Sequence, residues 1–126
     1  MLGGGVVPGS LTLISGEPGI GKSTLSLQIP LHCDSIRTLY VTGEESVNQV
    51  KMRADRLGGS AAQCYIYSET LMENILEEAR SMMPELVIVD SVQTMYTESV
   101  ESAPGSVSQI KEVAAQLLRF AKETGI

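Results

Sequence analysis

The stretch Gly16-Glu17-Pro18-Gly19-Ile20-Gly21-Lys22-Ser23-Thr24, "GEPGIGKST", packs three glycines, a proline, a lysine and two hydroxyls into nine residues. Most of these choices suit neither a helix nor a strand interior, so packing alone does not select them. The spacing Gly16-x-x-x-x-Gly21-Lys22-Ser23 is that of a phosphate-binding loop, and its surroundings are those the loop requires. Leu11-Thr12-Leu13-Ile14-Ser15 reads as a short apolar strand before it. A helix after it is expected to start near Gly21 or Lys22, to carry Leu25, Leu27 and Ile29, and to be ended or kinked by Pro30. The glycines let main-chain N–H groups come close to phosphate oxygens, and the helix N-terminus adds partial positive charge at the same point. In this reading Gly16 to Thr24 hold the nucleotide. Lys22 reaches the β- and γ-phosphates, the Ser23 hydroxyl ligates Mg²⁺, and Thr24 lies at the α-phosphate end. The plain alternative is a Gly-rich turn that caps a helix and leaves Lys22 solvated.

Further along, strands and helices alternate. Thr38–Thr42, Cys64–Tyr67 and Leu86–Asp90 read as strands, the last as a continuous apolar run buried on both faces. Ser46-Val47-Asn48-Gln49 has capping-box spacing and leads Val47, Val50, Ala54 and Leu57 at helical intervals to a Gly58-Gly59 stop. Thr70-Leu71-Met72-Glu73 offers a second capping box, ahead of an apolar face of Met72, Ile75, Leu76, Ala79 and Met83 with Pro84 beyond it. Ser106-Val107-Ser108-Gln109 caps a last helix whose inner face is expected to hold Val107, Ile110, Val113, Ala114, Leu117, Leu118 and Ala121, ending at Gly125. Four strands alternating with four helices imply an α/β fold: a parallel sheet with helices on both faces.

Two further motifs fall where strands end. Asp90 closes the run Leu86-Val87-Ile88-Val89, and an acid there stands at the ligand-binding edge of a parallel sheet. It suits Mg²⁺, held through a bound water. Gly43-Glu44-Glu45 follows Thr38–Thr42 and reaches the same edge. Adjacent carboxylates near a triphosphate are costly unless they act, so Glu44 is read as the general base that polarises the attacking water. One or both acids capping the next helix is the alternative, and Glu45 is divided between a supporting and a capping role. The expected catalytic set is thus Glu44, Lys22 and Glu45, with Ser23 and Asp90 at the metal and ATP–Mg²⁺ as ligand. Gln93 and Thr94, just past Asp90, are weaker candidates for sensing the γ-phosphate.

Composition bounds the rest. The 126 residues, 43% of them hydrophobic, suit one core built from aliphatic side chains, since there is one Phe and no Trp. A net charge of −6 argues against a broad nucleic-acid face. No apolar run reaches membrane-spanning length and no secretory leader precedes the core, so a cytoplasmic location without membrane contact is expected. Cys33 and Cys64 stand apart from each other and read as reduced, packed thiols.

With these residues in view the chain resembles the ATPase core of the bacterial RadA (Sms) family of RecA-like DNA repair proteins. The segments that carry the likeness are "GGGVVPGSLTLISGEPGIGKSTL", "TLYVTGEESVNQVKMRADRLG", "LVIVDSVQTMY" and "SAPGSVSQIKEVAAQLLRFAKETG", which together span nearly all of the chain. The resemblance implies a RecA-like P-loop NTPase over residues 1–126 that hydrolyses ATP, binds single-stranded DNA and recombination intermediates, works in branch migration and forms hexameric rings. It places nucleotide binding at Gly16–Thr24, the catalytic glutamate at Glu44 and the metal-site acid at Asp90. It also sets residues Thr97 to Ser106 as a DNA-facing loop, although that loop carries Glu98 and Glu101 and no Lys or Arg. The family's four-cysteine zinc module, a further core strand, a Lys-Asn-Arg-Phe-Gly motif and a protease-like domain are not among these residues. The chain is therefore expected to be a fragment, incomplete at the C-terminal side, with a gap between the phosphate-loop strand and the Asp90 strand. A nucleotide-binding fragment without turnover and a RecA-like regulatory ATPase are the competing readings.

Overall fold

The structure is a computed structural model that describes residues 7–14, 27–31, 36–58 and 63–126. The expected phosphate loop, Gly16 to Thr24, lies outside the described residues, as do Ser15, Leu25, His32 and Cys33. The described elements run in the order α1 (residues 27–31), β1 (Thr38–Thr42), α2 (Val47–Leu57), β2 (Cys64–Ser68), α3 (Met72–Met82), β3 (Leu86–Asp90) and α4 (Val107–Thr124), with a single 3-10 turn at Val92–Thr94.

The sheet is parallel and ordered β2-β1-β3. Thr42, at the end of β1, pairs with Ser68 of β2 and with Asp90 of β3, so three strands finish level on one edge. The period-2 alternation of strand side chains sorts the core into two layers. Tyr40 faces Leu27 and Leu31 of α1 and Val50 and Ala54 of α2, with Ile66 and Ile88 packed against them. Leu39 and Val41 face the other way, onto Met72, Ile75 and Ala79 of α3 and Val113 and Phe120 of α4. Helices cover both faces, as the alternating pattern implies. No helix among the described residues is long and apolar enough to cross a membrane.

Local signals explain most boundaries. Ser46 accepts from the Gln49 amide and Gln49 returns to the Ser46 amide, so the capping box of α2 forms, and Gly58 ends the helix at φ 74°. Gly125 closes α4 in the left-handed conformation.

Other expectations are corrected. Residues 11–14 join no strand, and Leu11 and Leu13 are exposed. A strand forms only against a partner, and the described sheet supplies none beside them. The helix runs one residue past Pro30 among the described residues, which continue to residue 31. Burial of Leu27 and Leu31 holds that turn in place despite the missing N–H. The β3 strand is half-buried along its length rather than buried on both faces, because β1 is its only strand neighbour among the described residues. The box expected at Thr70–Glu73 is absent. The Glu69 carboxylate takes the Thr70 and Leu71 amides at 3.0 and 3.5 Å, while Glu73 is drawn away to the Thr97 hydroxyl and the Glu98 amide. Met83 forms the left-handed cap of α3 and turns outward, 55% exposed, so Met82 packs in its stead. On α4, Val107 is exposed and Leu118 over a third exposed, whereas Gln109 and Phe120 are buried.

Candidate functional site

The direction of winding locates the site. From the centre strand β1 the chain passes through α2 on one face to β2. From β3 it passes to α4 on the opposite face. Neighbouring strands whose connections leave to opposite faces open a crevice at their carboxyl ends. Glu44 and Asp90 stand at that crevice, beyond β1 and at the end of β3.

The strand tips are tied together by main-chain bonds. The Gly43 N–H donates to the Asp90 carbonyl at 3.0 Å, and the Glu69 N–H donates to the Thr42 carbonyl at 3.2 Å. The Thr42 hydroxyl accepts from the Glu45 N–H at 3.1 Å, fixing the turn that carries both glutamates. Gly43 lies directly against Thr94, where a Cβ would come within 2.0 Å of Oγ1. The Asp90–Ser91 peptide is cis. The Thr94 hydroxyl donates to the Ser91 carbonyl at 2.8 Å, which closes the 3-10 turn.

Those constraints give the two glutamates different surroundings. Glu45 Oε1 pairs with Arg53 Nη1 of α2 at 2.9 Å. The Glu44 side chain is exposed and has no hydrogen bond or ion pair among the described residues. Neither acid caps α2, since Ser46 is its N-cap and its first turn holds no acid. Asp90 is half-buried and accepts a hydrogen bond at Oδ2 from the Tyr40 hydroxyl at 2.8 Å. Tyr40 is fully buried. Burial first, and then the charge of Asp90, push its phenol far above the ordinary value, so it remains a neutral donor. Arg53 Nη2 donates to the same hydroxyl at 3.4 Å, closing a chain from Asp90 through Tyr40 and Arg53 to Glu45.

The loop beyond Thr97 is braced from beneath. Gln109 is buried in the first turn of α4; its carbonyl accepts from the Thr97 N–H at 2.9 Å, and its amide donates to the carbonyls of Val100 and Ser102 at 3.0 and 2.8 Å. Glu98 and Glu101 point outward. Gln93 is exposed beside the crevice. Cys64 is a free, half-buried thiol packed with the α1–α2 layer, and burial pushes its pKa up.

Asp90 and the turn that carries Glu44 thus lie on one edge, where their positions in the sequence put them, while Lys22, Ser23 and the rest of Gly16–Thr24 lie outside the described residues. Sequence reasoning missed Tyr40, Arg53 and Gln109. A tyrosine inside an apolar strand reads as core, and Gln109 reads as a capping residue. The only hint was a polar residue on the face of α4 that packs inward.

The AAA domain family matches the chain over residues 1–126. The DNA repair protein RadA of Bacillus subtilis (strain 168) is 54% identical over 128 residues, covering all of this chain and 28% of its own length. RadA of Salmonella typhimurium is 52% identical and RadA of Halalkalibacterium halodurans 51% identical, again over the whole chain and 28% of each relative. The chain therefore spans under a third of the length of the curated relatives it matches.

Proposed function

The chain belongs to the AAA domain family, and from that premise we propose that it is the ATP-binding and ATP-hydrolysing core of a DNA-dependent ATPase of RadA type. The observation that carries this reading is that Asp90, at the tip of β3, and Glu44, in the turn just beyond β1, stand at the crevice where the sheet reverses its winding, with Gly43 bonded to Asp90. Gly16 to Thr24 supply the cradle of main-chain amides for the phosphates.

Ser23 and Asp90 would hold Mg²⁺. A hydroxyl and a carboxylate suit a hard cation, and Asp90 offers one oxygen, Oδ1, that no hydrogen bond occupies among the described residues. When bound, the ion offsets the negative charge of the phosphates. Lys22 adds positive charge at the β- and γ-phosphates. Glu44, with no partner among the described residues, takes the proton of the water that attacks the γ-phosphorus. Glu45 supports this by its pairing with Arg53, which keeps a second carboxylate from competing for that water.

Single-stranded DNA and recombination intermediates are the proposed partners, met in the cytoplasm by a homo-oligomer, a hexameric ring in the full-length protein. The support is that the chain's relatives in Halalkalibacterium halodurans and Bacillus subtilis are DNA repair proteins. The loop from Thr97 to Ser106 has no cation, so it would meet a strand through main-chain N–H groups and hydroxyls rather than by charge.

Glu44→Gln in the full-length protein tests the chemistry. ATP affinity, read with a fluorescent analogue, is expected to stay within about twofold. Phosphate release with single-stranded DNA should fall by about 10²–10⁴-fold, the usual worth of a general base. Full turnover in that variant would remove Glu44 from the mechanism.

A further inference from the structure

The hydrogen bond from Tyr40 to Asp90 joins a fully buried side chain of the centre strand to the acid of its neighbour, 50 residues away. The alternation that points Tyr40 into the α1–α2 layer puts Asp90 on the same face, since Thr42 pairs with Asp90 and Tyr40 with Ile88. The ring fills the space between Leu27, Leu31, Val50 and Ala54, which fixes where its hydroxyl ends. Arg53 approaches that hydroxyl from α2 and binds Glu45 with its other terminal nitrogen. The Arg53 Nε is buried with no partner among the described residues, so the guanidinium is held by these two contacts and by packing.

We infer that Tyr40 is a positioning residue for the metal-site acid. Its hydroxyl occupies Asp90 Oδ2, fixes the carboxylate plane and leaves Oδ1 as the oxygen available to a cation's water shell. Arg53 braces the hydroxyl and at the same time anchors Glu45, so one cation on α2 sets both acids against the strand tips. The inference rests on the assignment of Asp90 to the Mg²⁺ site. Partners that orient a metal ligand commonly contribute 10- to 100-fold in metal affinity when they are removed.

The experiment compares full-length wild type, Tyr40→Phe, Asp90→Asn and the double variant in binding of a fluorescent ATP analogue, titrated with Mg²⁺ and repeated in EDTA. Tyr40→Phe keeps the ring and loses only the hydroxyl. Its Mg²⁺ midpoint is expected to rise about tenfold, with affinity in EDTA unchanged. In the Asp90→Asn background the same change is expected to add little, because Tyr40 acts through Asp90. Arg53→Gln should raise the midpoint by a smaller factor, again without effect in EDTA. An unchanged midpoint in Tyr40→Phe overturns the inference, as does an equal loss with Mg²⁺ and in EDTA, which marks a purely structural role. A wild type whose affinity ignores Mg²⁺ and Asp90→Asn alike overturns the metal-site reading itself, and the inference with it.

Discussion

A Cβ built on Gly43 would lie 2.0 Å from Thr94 Oγ1, 2.7 Å from Thr94 Cβ and 3.3 Å from Met95 Cε. The first two contacts are far inside van der Waals range. Thr94 cannot swing aside freely, because its hydroxyl is bound to the Ser91 carbonyl at 2.8 Å. Glycine at this position therefore lets the turn bearing Glu44 sit directly on the turn that follows Asp90. Gly43→Ala is expected to destabilise the protein by about 1–3 kcal/mol, the usual range for overpacking a filled site. Thr94→Ala should recover part of that loss, since it removes the closest atom. Urea unfolding of the two single variants and the double variant gives the coupling directly. Simple additivity would mean that these turns do not press on each other.

Among the elements, α4 shows how one side chain organises a loop. Gln109 takes the Thr97 N–H and serves the carbonyls of Val100 and Ser102, and it is buried. Gln109→Ala leaves buried main-chain groups without partners, at about 1–3 kcal/mol. Faster hydrogen exchange is expected over residues 97–102, with the centre of α4 unchanged. Protection that stays put across the loop would show that Glu73 and Gln116 hold it without Gln109. The same elements show what a sequence discloses. Thr38–Thr42 and Leu86–Asp90 were legible to the residue, because apolar runs closed by polar residues leave little choice of boundary. Ser46 with Gln49 was legible because both halves of the box are local. The cap of α3 was not, because the decision between Glu69 and Glu73 depends on Thr97, which is remote in the chain. Asp90 and Glu44, by contrast, could be placed at the edge, because the strand ends that carry them are local signals. The Tyr40–Asp90 bond, which spans two strands, could not.

At the scale of the whole molecule, the sheet has one interior strand among the described residues. Every residue of β1 is buried, whereas β3 is half-buried throughout and β2 mixes half-buried and exposed residues. The outer edges of β2 and β3 pair with no strand among the described residues, and a parallel sheet with open edges leaves main-chain groups to water or to another chain. The exposed Leu13, near the N-terminal end, adds apolar surface that a lone domain gains nothing by showing. Because β3 carries Asp90, the order of that edge bears on the site. In the 126-residue chain taken alone, the β1 amides are expected to exchange slowest and the β3 amides that point away from β1 much faster. In the full-length protein, an added neighbour should bring the two sets level. Equal protection of β1 and β3 in the isolated, monomeric chain would show that the open edge is already covered, and Asp90 would then owe its placing to this chain alone. Unequal protection that levels only in the longer protein would make closure of the β3 edge a condition for holding Asp90 beside Glu44.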